Sequence, residues 1–149
     1  MIKIICVGKI KEKFYKEAIK EYEKRLSNKI QIIEVNDYET DNSNISLLKE
    51  KDNILKYINS KDYIITLEIE GNILSSVELS NKLEKTFINY PNITFIIGGS
   101  NGIHEDIKKI SNYKLSFSRL TFPHQLFRVI LLEQIYRSYK IMNNQSYHK

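Results

Sequence analysis

The sequence predicts an α/β fold, a mainly parallel sheet with helices on both faces. One observation is alternation: short β-branched runs give way to longer segments with helical spacing along the whole chain. A second is size and balance. At 149 residues, with 42% hydrophobic and 28% charged residues, the chain suits one domain around a sizeable core rather than a disordered polymer. A third is the lack of repeats, low-complexity tracts or linker-like Pro/Gly/Ser runs. Strands separated by helices then argue for a sheet covered on both sides.

The elements follow in order. "IKIICV" (2–7) is a strand, and 11–26 is a helix with Phe14, Ala18, Tyr22 and Leu26 every four residues. "IQIIEV" (30–35) is a second strand, followed by a polar loop at 36–44. Residues 45–58 form a helix whose apolar positions are Ile45, Leu48, Ile54, Leu55 and Ile58. "DYIITLEI" (62–69) is a third strand. The next helix, 75–90, opens with Ser75 and has Glu78 three positions on, the pattern of a capping box. "ITFIIGG" (93–99), a short helix at 104–110 and "YKLSFS" (113–118) lead to a long final helix.

Composition restricts the function less than it restricts the fold. A net charge of +5 permits a polyanionic partner without showing one. No apolar run approaches the roughly 20 residues of a membrane span. The apolar N-terminal stretch is too short, and wrongly flanked, for a secretory signal. The single cysteine, Cys6, reads as a buried strand residue of a reduced, cytoplasmic protein.

With five glycines and two prolines, each one carries positional information. Ligands of open α/β sheets bind beyond the carboxyl ends of the strands. Three such turns stand out: "LEIEGN" (67–72), where Gly71 is expected to turn the chain, "IIGGSNG" (96–102) and "SRLTFP" (118–123). "GGSNG" is neither a Walker loop nor a dinucleotide fingerprint, and it suits a tight turn as well as a ligand loop. Pro123 fits the first turn of the last helix, with Thr121 or Phe122 near the cap. Three turns of this kind in one small domain point to a composite pocket.

The last helix raises its own question. "FPHQLFRVILLEQIYRSYK" is apolar enough for a core yet carries His124, Arg128, Glu133 and Arg137, paired at four-residue spacing. Such a helix should be buried partly in the fold and partly against another subunit. Read structurally, Glu133 and Arg137 are an ion pair. The tail ending in Tyr147, His148 and Lys149 would ordinarily fray.

Together "LEIEGNILSS", "FIIGGSNGI", "SFSRLTFPHQLFRVILLEQIYRSYKI" and the terminal "YHK" closely resemble the ribosomal RNA large subunit methyltransferase H family, a minimal member of the SPOUT class. The match runs from about residue 62 to the C-terminus, and the "IKIICVGK" start fits too. The resemblance implies an α/β knot whose C-terminal segment is threaded through a loop, a trefoil knot that breaks the usual rule against threading. It implies a homodimer that methylates N3 of a pseudouridine in 23S rRNA of the large ribosomal subunit, with S-adenosylmethionine (SAM) as donor and no metal. By position it assigns the donor to Leu67, Gly99, Ser118, Arg119, Leu120, Thr121, Phe122 and Pro123. Glu68 stands where Asp is common and Phe122 where Leu is frequent, the latter bearing on how the adenine is packed.

The implied chemistry gives the polar groups of the last helix work. N3 of pseudouridine is an imide N–H, a poor nucleophile until its proton leaves. An arginine fork suits the anion. Arg137 is expected to orient the base, held by Glu133, with His148 or Glu133 assisting proton loss and Tyr147 beside them. His124 serves structure or catalysis equally well. A lone domain at +5 offers a modest phosphate footprint, so activity is expected on assembled ribosomes. Two rival readings remain on sequence grounds: a doubly wound nucleotide-binding oxidoreductase, whose first loop should be richer in glycine than "VGKIKEK", and a non-catalytic ribosome-binding module.

Overall fold

The computed structural model describes residues 1–38 and 40–149; Glu39, in the expected polar loop, lies outside the described residues. Five parallel strands stand in the order β2-β1-β4-β3-β5: β1 (Ile2–Val7), β2 (Ile30–Val35), β3 (Asp62–Ile73), β4 (Asn92–Ile97) and β5 (Tyr113–Ser116). Helices α1 (Lys13–Arg25), α2 (Ser43–Leu55), α3 (Ser76–Asn89), α4 (Glu105–Ile110) and α5 (His124–Met142) connect or follow them.

Side-chain alternation divides the core into two layers. Ile2, Ile4, Cys6, Ile65, Phe95 and Leu115 face α1, α3 and α5, which contribute Ile19, Leu83, Leu131, Leu132 and Ile135. Ile5, Val7, Ile64 and Ile96 face the other way, toward Ile54 of α2 and Ile107 of α4. Helices on both faces of a parallel sheet are what the alternating sequence predicts. β1, flanked on both edges, is buried at every residue. Burial pushes the Cys6 thiol up to about 12, partly opposed by the Arg128 charge, so it is packed and unreactive.

Three local expectations change. The inward stripe of α2 is Ser46, Glu50 and Ile54, and Ile45, Leu48 and Leu55 are exposed. The helix starts earlier than its apolar spacing suggests because the Asn42 side chain accepts from the Asn44 amide at 3.0 Å, capping the chain inside the polar loop. Tyr22 on α1 and Leu26 at its C-cap reach the core, but Phe14 stays 61% exposed. The capping box of α3 forms as expected, Ser75 and Glu78 each accepting the other's amide.

The third change positions the site. β3 pairs with β5 through Leu67, leaves the ladder, and resumes at Asn72 opposite the same Leu115. Residues 68–71 therefore bow out of the sheet. Gly71 does not end the strand; it closes the bow. A Cβ there would lie 2.8 Å from the Lys114 carbonyl carbon and oxygen, so no larger residue fits.

Candidate active site

The bow at 68–71, the turn after β4 and the segment between β5 and α5 surround one cavity of about 440 Å³. That lies within the range of small-ligand sites. Its floor is Leu67, Ile97 and Leu115, and Phe117, Phe122 and Phe127 form an aromatic wall. Phe127 packs edge-on against Phe117 at 5.0 Å and lies 6.2 Å from Phe122. The three turns singled out in the sequence thus meet in one place.

The glycine turn is tight for internal reasons. The Gly102 amide donates to the Gly99 carbonyl at 3.0 Å, and a Cβ on Gly98 would fall 2.5 Å from the Gly102 oxygen. Gly102 sits at φ +80, the left-handed region that favours glycine. The turn also lines the cavity, so the structural and ligand-loop readings both hold. On the opposite rim, Glu68 accepts from the buried Thr66 hydroxyl at 2.7 Å and lies 3.6 Å from Lys108 Nζ. Glu70 joins it in the lining.

Leu67, Gly99, Ser118, Leu120, Thr121 and Phe122 all line the cavity. Arg119 is exposed and outside the lining. Pro123 is also outside; it is the N-cap of α5, with its carbonyl accepting from the Phe127 amide at 2.9 Å. The helix begins one residue later than its proline suggests, because Pro123 keeps an extended ψ of 137°. Sequence reasoning missed Ile69, Glu70, Lys108, Phe117 and Phe127. Phe127 had a signal, three residues after His124 on one helical face. Lys108 had none, since only the fold turns α4 toward the cavity.

A second polar group forms farther along α5. Glu133 Oε1 accepts from Arg137 Nη2 at 2.6 Å and Nε at 3.1 Å. It also accepts from the Tyr147 hydroxyl at 3.1 Å, while Gln134 donates to Oε2 at 2.8 Å. Arg137 Nη1 donates to His148 Nδ1 at 3.1 Å. Arginine has only donors, so Nδ1 is an acceptor here and the imidazole proton sits on Nε2. The tail does not fray. Asn144 turns at φ +52, the Gln145 amide donates back to Lys140 O at 2.9 Å, and Tyr147 packs edge-on to Tyr136 at 4.9 Å.

Local electrostatics fit a poised cluster. The hydrogen bond to Glu133 drives the Arg137 pKa upward, so the guanidinium stays charged. Burial, then the bond to Glu133, raises the Tyr147 phenol, so it stays a donor. Arg137 has five N–H groups, of which three are engaged; one on each terminal nitrogen stays open. None of Glu133, Arg137, Tyr147 or His148 lines the cavity. Phe127, the last α5 residue in the cavity wall, lies six residues before Glu133, about 9 Å of helix. Within one chain the two sites stand apart.

Comparison with known proteins agrees with this architecture. Residues 1–148 match the family described as "Predicted SPOUT methyltransferase". A protein of Methanococcus maripaludis (strain C5 / ATCC BAA-1333), described as "Putative ribosomal RNA large subunit methyltransferase H", is 51% identical over 157 residues, covering 99% of each chain. The solved structure of "a probable methylase family protein from Haemophilus influenzae Rd KW20" superposes with a TM-score of 0.60 at 14% identity, over 99% of this chain and 70% of that one, a likeness of fold. With the bow within β3 and the turns after β4 and β5 closing one cavity, the chain belongs to the SPOUT methyltransferases, in the ribosomal RNA large subunit methyltransferase H family.

Proposed function

We propose that this chain is a cytoplasmic homodimer that methylates N3 of a pseudouridine in 23S rRNA, on assembled ribosomes, with SAM as donor. The observation that carries the reading is the convergence of three turns on one aromatic-walled cavity in a chain of this family. The cavity residues fit the donor. Phe122, with Phe117 and Phe127, offers flat apolar surface to an adenine. Gly99, Ser118, Leu120 and Thr121 line the space, and Glu68 and Glu70 put negative charge near a cationic ligand. Arg119 and Pro123 act from outside the lining, Pro123 by setting where α5 begins. When bound, SAM supplies an electrophilic methyl group on a sulfonium and needs no metal. We also assign the segment after β5 to a trefoil knot through the loops that wall the cavity.

The chain's own residues must then bring N3 to that methyl, remove its proton and hold the resulting anion. Arg137 is suited to the anion. Its two open N–H groups, one on each terminal nitrogen, can address a carbonyl oxygen and N3 together. Glu133 is saturated with donors, so its part is to hold Arg137. His148 is the better base: once Arg137 Nη1 turns to the substrate, Nδ1 is free to take the N3 proton. Tyr147 fixes the carboxylate that fixes the arginine. Because none of these residues lines the cavity of its own chain, and Glu133 lies about 9 Å of helix beyond Phe127, we assign the cluster to the cavity of a second copy across a twofold contact.

The test is transfer of a labelled methyl group from SAM to ribosomes lacking the modification, mapped by mass spectrometry. The reading expects one methyl on N3 of a pseudouridine in the large-subunit RNA, and little transfer to a short naked hairpin. Equal rates on both would remove the assembled ribosome from the account. Transfer to neither would remove the function.

A further inference from the structure

The segment joining β1 to α1 is built to present side chains rather than merely to connect. Its backbone is pinned at three places in a row. Arg128 Nη2 donates to the Gly8 carbonyl at 3.1 Å, the Ile10 amide donates to Glu34 Oε2 at 2.9 Å, and the Lys11 amide donates to Gln125 Oε1 at 3.1 Å. Gln125 follows His124, which lines the cavity, so the segment is fastened to α5 one residue from the cavity lining. What the pinned backbone displays is basic and aromatic. Lys9, Lys11, Lys13 and Lys16 are exposed, against one acidic residue, Glu12, in the same stretch. Phe14 is 61% exposed, with its ring 4.4 Å from that of Tyr15. An exposed phenylalanine at the start of a helix that buries Ile19 is not spent on folding.

We propose that residues 9–16 form an RNA-binding lip beside the cavity, the lysines meeting backbone phosphates and Phe14 stacking on an unpaired base next to the target. The inference rests on the proposed function and names the surface that holds its substrate. Cations around an exposed ring are the combination that single-stranded RNA requires. A rigid base matters because ordering a mobile loop on binding would weaken the grip.

The test uses full-length protein, SAM calorimetry, and ribosome binding measured across a salt series. Lys9→Gln/Lys11→Gln should leave SAM affinity unchanged and lower the salt dependence of ribosome binding by about two in log–log slope. Phe14→Ala should weaken binding about tenfold with the slope preserved. Lys56→Gln/Lys61→Gln, an equal charge change at exposed sites near the opposite, N-terminal end of the strands, should change neither. If the first two variants bind ribosomes as the parent does, the lip is wrong while the function stands. If Phe14→Ala instead dissociates the dimer in sedimentation, Phe14 belongs to the subunit contact and the stacking role is overturned. A parent protein that binds SAM but no ribosomal particle overturns both readings together.

Discussion

Helix α5 carries two arginine–glutamate pairs, both closed at 2.6 Å, and they do opposite things. Arg128 reaches Glu34 on β2 and Gly8 after β1, with a side chain only 3% exposed. It stitches the last helix to the first two strands, and its Nε remains buried without a partner among the described residues, a cost accepted for position. Arg137 reaches back one turn to Glu133 on its own helix, both side chains still wetted at 24% and 20%. A bond within one helical turn fixes no tertiary geometry. What it holds in place is a guanidinium with donors to spare, beside Tyr147 and His148. Equal lengths therefore say nothing about role; span, burial and leftover hydrogen-bonding capacity do.

Removing each partner should separate the two kinds of pair. Arg137→Ala should slow single-turnover methyl transfer by about a thousandfold, or about 4 kcal/mol of barrier. Its melting temperature should stay within a few degrees of the parent's. A thousandfold loss accompanied by unfolding would erase the distinction. Arg128→Met should do the reverse, costing about 3 kcal/mol of stability because Glu34 keeps access to water while the tie across the fold is lost. Calorimetric melting should fall by about 6–12 °C.

Lys3–Asp62, at the other end of the sheet, sharpens the contrast as a second architectural pair. Burial alone would raise the Asp62 carboxyl, but Lys3, the Asn59 amide and the Thr94 hydroxyl donate to it and hold it below the usual carboxylate range. A depressed folded pKa contributes stability above the unfolded value, near 3.9, and loses it as pH falls through the folded value. Asp62→Asn should therefore cost about 2 kcal/mol at neutral pH and flatten the stability profile in acid, read from denaturant unfolding at stepped pH. Tyr147→Phe is the mildest change. Losing one hydrogen bond to Glu133, worth about 1 kcal/mol, should slow transfer roughly fivefold. A larger loss would give the phenol a direct part in the chemistry.

The fold was legible where local rules and tertiary packing agree. The strand–helix alternation, the capping box at Ser75 and the three loops of the cavity could all be read in order along the chain. It was illegible where a long-range contact decides. Nothing in "LEIEGN" tells that residues 68–71 bow out of the ladder, since the cause is the Lys114 backbone lying against Gly71. The inner stripe of α2 follows Ser46 and Glu50 against the apolar pattern. Glu70 and Lys108 reach the cavity through the bow and the turn of α4. The tail looked free to fray because its anchors, Tyr136 and Glu133, touch Tyr147 in space from 11 and 14 residues earlier in the sequence, a spacing no simple period marks.

The separation of cavity and cluster along α5 makes the strongest demand, that a complete site takes residues from two copies. Mixed dimers test it directly. One subunit would carry Leu67→Trp, which fills the cavity, and the other Arg137→Ala, with each variant inactive as its own homodimer. Co-assembled, they should recover methyl transfer, because one subunit keeps an intact cavity and the other an intact cluster to serve it. Co-assembled dimers as inactive as either parent would place both halves of the site in one chain and contradict the account.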